Sequence, residues 1–526
     1  MKLASQYPTG ALFISLFLLT IVLVRSKQGR GLVPGPRGLP ILGNVLEVPA
    51  TKAWFYFRTL GKRFGPLISF SIVGERVLIL NRGSDAVELL GKRASIYSSR
   101  PNLVFAGKYW SQNRRLVFLP YGDHLKHLRA AFHHMLQSRN AGAYDVHQEV
   151  EACKLTYDML IKPEDVFLNI KRYASALIYS LAYGRRLEGN DEDLKNILGA
   201  IFDIDHHVRP GAHLVDSLPI LDKLPDVLAP WRKHALQGYK RTTAIYGGLA
   251  KDVLQRVSQG DVSTECFTAR LWAQQEKLNL DDESIAYLAG TAFEAGAGTT
   301  SGEVLWFLAA AVLYPETVKI ARSEMDAILH DRAPMLQDLE SLPYCTGLVK
   351  EVLRWGPAVP AGIPHRLDRD DTYQDYRITE GTTVIANIWA MHHDEETYDN
   401  PKVFEPRRWT GQESGLNRAS LLEGHFGFGF GRRICPGRAL GAASVWIAIV
   451  RLIWAFDIHP DIDETTQRPA RPDPYNPENW AGELITEPRE FPVRVVPRSE
   501  EHADAIRREW DSLSELGDGI YRRPAE

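Results

Sequence analysis

One cysteine of this chain has surroundings that could support chemistry. Cys435 lies in the segment 426–437 (FGFGFGRRICPG), where Phe and Gly alternate and two arginines precede the thiol. Glycine reaches backbone conformations closed to other residues, and it leaves room for a flat group against the chain. The run 436–456 begins with proline and predicts a helix, so the thiol lies near a helix N-terminus, where the dipole favours a thiolate. Such a thiolate could be a nucleophile, a metal ligand or a haem ligand, and a buried inert cysteine is the ordinary alternative.

A second stretch of interest lies at the centre of a long predicted helix. Acids open the run 281–314 and a proline follows it, which predicts a helix of about 30 residues, or about 45 Å. Its centre, 295–300 (AGAGTT), is weak, because each glycine costs a helix about 1 kcal/mol relative to alanine. A threonine hydroxyl that bonds back to a carbonyl one turn earlier would open space for a small ligand, so Thr299 and Thr300 are the catalytic candidates. Close approach of a neighbouring helix is the other explanation of the glycines.

Together the two stretches resemble the motifs of the cytochromes P450. The match to that family's haem-thiolate loop has five fixed positions: Phe428, Gly431, Arg433, Cys435 and Gly437. The stretch 295–300 resembles the oxygen-activation motif, with Thr299 at its threonine. The resemblance implies that Cys435 is the axial ligand of the iron of haem b. It also implies that these loop residues contact the haem: Phe428, Gly429, Arg433 and Gly437.

Two positions depart from that family's pattern. Gly298 stands where the family usually has an acid before the threonine, and Leu125 stands where it has a tryptophan that faces a haem propionate. Without the acid, proton delivery falls to water held by the two threonines. Glu294 and Glu303, which flank this part of the helix at distances of one turn, are further candidates.

Basic residues elsewhere in the chain are candidates for the haem propionates. Arg129 matches the propionate-binding arginine of the family, and it lies four residues after Leu125 on the same helical face. A solvated basic residue is the alternative for this position. His365 and Arg366 follow a turn toward the expected cavity and are further candidates, although ordinary turn residues explain that pair equally well.

A group of charged residues is predicted to support the cysteine loop. Glu351 and Arg354 have the spacing E-x-x-R, which by itself usually marks a surface pair that contributes about 0.2–0.5 kcal/mol. The segment 404–409 (FEPRRW) resembles the partner segment of that pair in the family, with Arg408 at its arginine. The resemblance therefore implies a buried triad with a structural role.

The substrate pocket is predicted from apolar side chains of several regions. The stretch 100–119 is aromatic without clear periodicity, as expected of a loop over a cavity, but its aromatic side chains could equally attach it to the core. Residues 357–366 turn back toward the cavity, and 480–484 form a last loop into it. The candidates for the pocket wall are Phe105, Phe293, Ala295, Val359, Ala361 and Ile363.

The chain is predicted to form one large domain after an N-terminal extension. Its 526 residues show no repeat, and the hydrophobic fraction of 44% is ordinary for a globular protein. Helical runs dominate, while 66–80 predicts two short strands. The resemblance implies the cytochrome P450 fold, which is mainly α with small β-sheets (α+β). We expect three parts: an anchor over 1–26, a Pro/Gly-rich hinge over 27–44, and a catalytic domain over 45–526 with a charged tail from about 497.

The N-terminal extension predicts a membrane anchor. Residues 7–24 carry no charge, which is at the short edge of a membrane span, and Arg25, Lys27 and Arg30 follow them. A cleaved signal peptide would carry its positive charges before the apolar run. We therefore favour an uncleaved single-pass anchor that leaves the catalytic domain in the cytosol. The hinge resembles that of microsomal members, which implies the endoplasmic reticulum membrane.

Charge and cysteine content argue against other classes of protein. The net charge of −3 disfavours a nucleic-acid surface, for which a clustered basic excess is expected. The four cysteines are widely spaced and include no C-x-x-C pair, so no disulfide framework or zinc site is indicated. The membrane and a hydrophobic small molecule remain as expected partners.

The resemblance implies a haem-thiolate monooxygenase. Such an enzyme inserts one oxygen atom from O₂ into a hydrophobic small molecule, by hydroxylation or epoxidation, with electrons from NADPH. The sequence contains no flavin or nicotinamide motif, so the implied electron donor is a separate NADPH–cytochrome P450 reductase, with cytochrome b5 as a second one. The reductase is expected to dock through basic residues such as Arg432 or Arg438.

Two other functions stay open at this point. Gly298 leaves room for a haem-thiolate isomerase or dehydratase of the same fold, which would turn over without O₂ or NADPH. A non-catalytic haem-binding protein is the third interpretation. The stretch 392–394 (HHD) is similar to fungal members of secondary metabolism, and the identity of the substrate is not encoded in any motif.

Overall fold

In the computed structural model, a mainly helical domain surrounds one long central helix. The structure describes residues 31–521 except 137–140, 188–198, 200–204, 209–210, 261–265, 331, 411–417, 466 and 518–519. The expected anchor, 1–26, and the first residues of the hinge lie outside the described part.

The α-helices make up most of the domain and follow one another through the whole described chain. In chain order they are α1 (Ala53–Phe64), α2 (Gly83–Ala86), α3 (Ala94–Tyr97), α4 (Asp123–Met135), α5 (Ala141–Ile161), α6 (Val166–Tyr183), α7 (Leu214–Ser217), α8 (Pro230–Ser258), α9 (Phe267–Trp272), α10 (Asp282–Leu313), α11 (Pro315–Leu329), α12 (Pro343–Trp355), α13 (Ile388–His392), α14 (Arg438–Ala455) and α15 (Glu500–Ser514). The helix α10 packs against α6, α8, α12 and α14, so it forms the axis of the core.

Local sequence explains where α10 begins and ends. The side chain of Asp281 caps it by accepting a hydrogen bond from the N–H of Ser284 at 2.7 Å. The helix stops at Leu313, ahead of Pro315, which cannot continue the hydrogen-bond ladder. Its buried residues point in all directions, as expected of a helix enclosed by others. The long helix predicted over 281–314 is confirmed.

Short strands form a four-stranded sheet and several pairs beside the helices. The strands are β1 (Leu67–Ile72), β2 (Glu75–Leu80), β3 (His365–Arg366), β4 (Asp371–Tyr373), β5 (Tyr376–Ile378), β6 (Thr383–Ala386), β7 (Phe456–Pro460), β8 (Ile462–Asp463), β9 (Arg468–Pro469), β10 (Trp480–Ala481), β11 (Glu487–Pro488) and β12 (Val493–Pro497). The larger sheet has the order β1-β2-β6-β3, with β2 and β6 parallel and the other neighbours antiparallel. The hairpin predicted over 66–80 is confirmed, and its turn lies at Val73 and Gly74, which have φ of 48° and 86°.

Two segments differ from the sequence-based expectation. The stretch 100–119 was expected to be an irregular loop, but it contains a π-helical turn at Val104–Trp110. A π turn has no 3.6-residue period, so a helix could not be predicted here from hydrophobic periodicity. In the segment expected as a charged tail, α15 buries Ala503, Ile506 and Trp510 against the domain. This packing was not predicted, because the few buried residues of α15 lie among many charged ones.

Two described helices, α10 and α14, are long and apolar enough to cross a membrane. In both, 78% of the most apolar window is buried inside the protein. Both therefore belong to the core of the domain.

Candidate functional site

An apolar cavity lies between α10, the loop that follows α12 and the cysteine loop, which we define as residues 426–437. Its volume is about 310 Å³. The cavity wall combines the thiol of Cys435 with the threonine stretch of α10, so the two motifs found in the sequence meet at one site. Thr299, Thr300, Phe428, Gly429, Arg433 and Cys435 all line it.

The cysteine loop has a backbone that requires glycine at defined places. Gly429 and Gly431 have φ of 75° and 53°, in the left-handed region that disfavours other residues. A Cβ atom on Gly431 would lie 2.1 Å from the carbonyl oxygen of Leu90. The N–H of Cys435 donates to the carbonyl of Phe428 at 2.9 Å and closes the loop. The spacing of the motif therefore follows from two turns and one backbone hydrogen bond.

Cys435 is half-buried and lines the cavity. Burial raises its pKa, while the N–H of Gly437 and the charges of Arg129 and Arg438 act in the opposite direction. The helix α14 starts at Arg438, three residues after the thiol. The other three cysteines of the chain are buried away from this cavity.

Two arginines predicted from the sequence reach the cavity beside the cysteine. Arg433 donates to the carbonyl oxygens of Ser98 at 2.7 Å and Leu119 at 2.6 Å. Arg129, on α4, donates to the carbonyl oxygen of Ile434. Both side chains line the cavity. These bonds fix the guanidinium groups, and within the described part of the chain neither group forms an ion pair with a carboxylate.

Arg100 is a third arginine at the same place, and sequence reasoning missed it. Its buried side chain donates to the carbonyl oxygens of Ile363 at 2.7 Å and Pro364 at 2.8 Å. Burial lowers its pKa, and Arg433 and Arg129 lower it further. Burial likewise lowers the pKa of Arg433 to about 10, with Arg129 contributing. Among the described residues, the hydrogen-bond partners of all three are backbone carbonyls rather than carboxylates, so the cluster is suited to an anion.

The structure separates the neighbours His365 and Arg366. His365 is buried and lines the cavity, and its Nδ1 lies 2.7 Å from the carbonyl oxygen of Tyr97. Burial, followed by the charge of Arg100, lowers its pKa to about 3, so it is a neutral hydrogen-bonding group. Arg366 lines a different, polar pocket together with Glu380. Successive residues of a strand point to opposite faces, which explains the difference.

The threonine stretch of α10 has the back-bonding geometry expected from the sequence. The hydroxyl of Thr299 donates to the carbonyl oxygen of Ala295 at 2.7 Å. Thr300 is buried, and both threonines line the cavity. The glycines also permit close helix packing, because a Cβ atom on Gly296 would lie 3.1 Å from the side chain of Ile178 on α6. The structure thus shows both the back-bond of Thr299 and the close approach of α6, while the space for a small ligand stays a prediction.

Two glutamates of α10 line the cavity in different states. Glu294 is buried in an ion pair with Arg115 at 2.9 Å and also accepts a hydrogen bond from the hydroxyl of Tyr246. Glu303 accepts from the N–H of Ala358 at 2.9 Å through Oε1, while its buried Oε2 has no partner among the described residues. Burial raises the pKa of Glu303 to about 8. Glu303 is therefore a neutral acid at neutral pH, whereas Glu294 is held by a cation.

The three residues of the expected ion triad lie together beside the site. Glu351 and Arg354 form a fully buried pair with a distance of 2.7 Å between Oε1 and Nη2. Nε of Arg408 lies 3.0 Å from the same oxygen. The indole of Trp409 donates to the other carboxylate oxygen at 2.9 Å. This last partner follows directly after Arg408 in the sequence, yet the charge motif did not reveal it.

The candidates for the substrate wall divide into two groups. Ala295, Val359 and Ile363 line the cavity, whereas Phe105, Phe293 and Ala361 do not. Phe105 instead stacks on His213 with ring centroids 3.4 Å apart, in a neighbouring apolar cluster. The sequence also missed several wall residues that come from distant segments, namely Leu116, Val117, Ile388 and Ile485. The loop expected over 480–484 reaches the cavity through Leu484.

Leu125, which replaces the expected tryptophan, belongs to the core. It is buried with 2% exposure and packs among apolar side chains. The neighbouring Lys126 pairs with Asp123 at the surface. Among the residues that the structure describes, the arginines and lysines lining the cavity are Arg100, Arg129 and Arg433.

Comparison with known proteins places the chain in a family. The family model described as Cytochrome P450 matches residues 33–478. The chain belongs to the cytochrome P450 family. It is 33% identical to cytochrome P450 monooxygenase 69 of Postia placenta, over 97% of each chain. It is 34% identical to cytochrome P450 monooxygenase fogE of Aspergillus ruber, over 97% of this chain and 94% of the relative, and 31% identical to cytochrome P450 monooxygenase virE of Hypocrea virens, over 94% and 90%.

Membership of the cytochrome P450 family implies a haem-thiolate cofactor and a redox partner, and the residues present fit the cofactor. The arginine cluster has positive charge without carboxylate partners, as two propionates require. A Cβ atom on Gly429 would meet no atom within 4 Å, so the loop leaves open space beside the thiol. In this cytochrome P450, three arginines, a thiol and a glycine-rich loop thus surround one apolar cavity.

Proposed function

We propose that this cytochrome P450 is a monooxygenase that inserts one oxygen atom from O₂ into a hydrophobic small molecule, by hydroxylation or epoxidation, in secondary metabolism. When bound, a haem with a thiolate ligand activates O₂, so that one oxygen atom enters the substrate while two electrons and two protons convert the other into water. The observation that carries the proposal is the meeting of Cys435, the arginine cluster and Thr299 around one apolar cavity. The fungal relatives named as monooxygenases and the stretch 392–394 support the reaction and the pathway class.

In this proposal the cysteine loop and the arginines hold the haem. Cys435 supplies the thiolate. The carbonyl-bound guanidinium groups of Arg100, Arg129 and Arg433 pair with the propionates, assisted by neutral His365. Of the three other loop residues expected at the haem, Phe428 and Gly429 line the cavity and would lie against the ring system, whereas Gly437 does not line it. Arg366 does not line this cavity, so the proposal gives it no part in the site.

Residues of α10 hold and move protons on the substrate side of the cavity. Gly298 provides no carboxyl group, so the hydroxyls of Thr299 and Thr300 orient water there. Glu303 lies four residues after Thr299, about 6 Å along the helix axis, and carries a proton at neutral pH. Glu303 therefore takes the place of the missing acid as a proton reservoir, while Val359 and Ile363 exclude water with their apolar surface.

The proposed electron donor is an NADPH–cytochrome P450 reductase, with cytochrome b5 as a second donor. Arg432 is exposed beside the cysteine, and Arg438 donates to the carbonyl oxygen of Cys435 at 3.3 Å. Surface cations at this point attract an acidic partner and shorten the path for electrons. We place the protein in the endoplasmic reticulum membrane, with the catalytic domain in the cytosol, on the basis of the uncharged stretch 7–24 and the cations that follow it.

The decisive experiment is the reduced carbon-monoxide spectrum of the haem-loaded full chain. The wild type shows the thiolate signature, and Cys435→Ser loses it. Cys345→Ser is the control, because that buried thiol lies outside the cavity. A thiolate signature that survives in Cys435→Ser would refute the proposed ligand. Consumption of O₂ and NADPH in step with product then separates a monooxygenase from an isomerase, which needs neither.

A further inference from the structure

Buried histidines behind the cysteine loop have no role in the proposed function. His392 is the last residue of α13, and His425 directly precedes the loop. Both imidazoles are buried, with 0% and 8% exposure, and neither lines the cavity. A buried polar ring is unfavourable unless its nitrogens have partners, so the contacts of these rings are informative.

His392 contacts the ion triad and the cysteine loop with different atoms. Nη1 of Arg354 donates to the backbone carbonyl of His392 at 2.6 Å. The ring nitrogen Nε2 of His392 lies 2.8 Å from the backbone N–H of Phe426, which donates to it. The rings of His392 and Phe426 are nearly parallel, with an interplanar angle of 17° and centroids 6.0 Å apart. One residue thus joins the triad to the start of the loop.

The hydrogen bond to Nε2 requires a neutral imidazole with its proton on Nδ1. Burial lowers the pKa of His392, and the nearby His425, Arg354 and His393 lower it further. The surroundings therefore remove the proton that would otherwise block the acceptor nitrogen. The N–H of Phe426 gains a partner that stays available over the ordinary pH range.

Backbone hydrogen bonds carry this attachment forward to the thiol. The carbonyl of Phe426 accepts from the N–H of Gly429 at 2.9 Å, and the carbonyl of Phe428 accepts from the N–H of Cys435 at 2.9 Å. His425 supports the same segment, because its Nδ1 lies 3.2 Å from the N–H of Gly427. The connection from triad to thiol is continuous.

We propose that His392 is a positioning residue that couples the ion triad to the cysteine loop by accepting the N–H of Phe426. It fixes the loop backbone from which Cys435 faces the cavity. The inference rests on the proposed function only in taking Cys435 as the haem ligand. The anchoring of the loop itself is measurable without that assumption.

The neighbouring His393 provides a matched control. It is equally buried, at 1% exposure, but its Nδ1 lies 2.7 Å from the carbonyl oxygen of Trp389 in α13, the helix that His393 directly follows. Its ring therefore makes no bond to the cysteine loop. A general effect of altering a buried histidine would appear at both positions, whereas loss of the loop anchor appears only at His392.

Three variants of His392 in the haem-loaded full chain test the proposal. His392→Gln places an amide oxygen near the position of Nε2 and preserves the acceptor. His392→Asn places its oxygen near Nδ1, and His392→Phe removes the acceptor, so the N–H of Phe426 is left without a partner in both. The first readout is hydrogen–deuterium exchange of peptides covering 421–437. The second is the rate at which the reduced carbon-monoxide spectrum loses its thiolate signature.

We expect His392→Asn and His392→Phe to speed both processes about tenfold, which corresponds to about 1.4 kcal/mol, because both leave the buried N–H of Phe426 without an acceptor. His392→Gln and His393→Phe stay close to wild type. Equal effects of His393→Phe and His392→Phe, or unchanged exchange in His392→Asn, would overturn the proposal. If His392→Phe does not fold, His392→Asn against His392→Gln decides. If the wild type shows no thiolate signature, Cys435 is refuted as the ligand. Faster hydrogen–deuterium exchange in His392→Asn would then still support the anchoring of the loop by His392.

Discussion

The two walls of the cavity are held by different kinds of interaction. The cysteine wall is fixed by left-handed glycines, a buried ion triad and arginines bonded to backbone carbonyls. The α10 wall contains a glycine where an acid is usual, a neutral Glu303 with an unpartnered oxygen, and apolar side chains from several segments. The cysteine wall is therefore held by many polar contacts, whereas the α10 wall has few polar groups.

The largest expected effect is the loss of one triad charge at the cysteine wall. Arg408→Gln should lower the free energy of unfolding by about 2–3 kcal/mol, because Glu351 keeps only part of its compensation. Chemical denaturation measures this. The adjacent Arg407, which is exposed, is the control, and Arg407→Gln should change stability by less than about 0.5 kcal/mol. Equal losses in the two variants would contradict the contribution of the triad.

A second test concerns the arginine cluster. Arg100→Gln should speed the transfer of haem to an acceptor protein by about tenfold to a hundredfold, since a hydrogen bond to a charged group contributes about 1.5–3 kcal/mol. Arg366→Gln is the matched control, because Arg366 is a nearby arginine that lines another pocket. Faster haem transfer in Arg366→Gln, or an unchanged transfer rate in Arg100→Gln, would show that the propionates lie elsewhere.

The third test addresses the neutral acid of the α10 wall. Glu303 has a pKa of about 8 in the folded protein and an ordinary value of 4.5. Between these values the folded state holds a proton that the unfolded state releases, so the stability contributed by protonated Glu303 is full below about pH 4.5 and is lost as pH rises toward 8. In Glu303→Gln this loss should vanish.

The measurement is the free energy of unfolding of the wild type and Glu303→Gln at several pH values from 5 to 8. Relative to the wild type, the variant should gain about 1 kcal/mol per pH unit, and at most 1.4. Titration of other groups cancels in this difference. Parallel stability curves would mean that Glu303 is ionised in the folded protein.

The smallest effect is expected at the apolar part of the α10 side. Val359→Ala removes two methyl groups of a half-buried side chain from the cavity wall, and it should raise the dissociation constants measured from substrate-induced shifts of the haem spectrum about fivefold. A panel of terpenoid, polyketide and indole compounds serves as probe. Ala361→Gly, two residues away but outside the wall, should leave the dissociation constants unchanged. A similar weakening there would indicate a change of the whole loop.

The sequence predicted the cysteine side of the site much better than the substrate side. The cysteine loop and the ion pair of Glu351 and Arg354 are short-range patterns, because their geometry is set within ten residues or by one helical turn. Arg100 was not predicted as a site residue, because it lies in a stretch without periodicity and belongs to no motif. Three of the six pocket candidates do not line the cavity. For example, Phe105 stacks on His213, and Ala361 packs against the core.

By itself, the sequence determined the family, the mainly helical fold, the long α10 helix and the cysteine loop. Each depends on local backbone preferences or on residue spacing within one element. Tertiary structure alone decided that Arg100 joins Arg129 and Arg433, that Glu303 is neutral, and that His392 meets the loop. These properties depend on burial and on contacts between residues far apart in the chain, such as the 34 positions between His392 and Phe426. Desolvation and charge pairing act only after the chain has folded, so no local pattern encodes them.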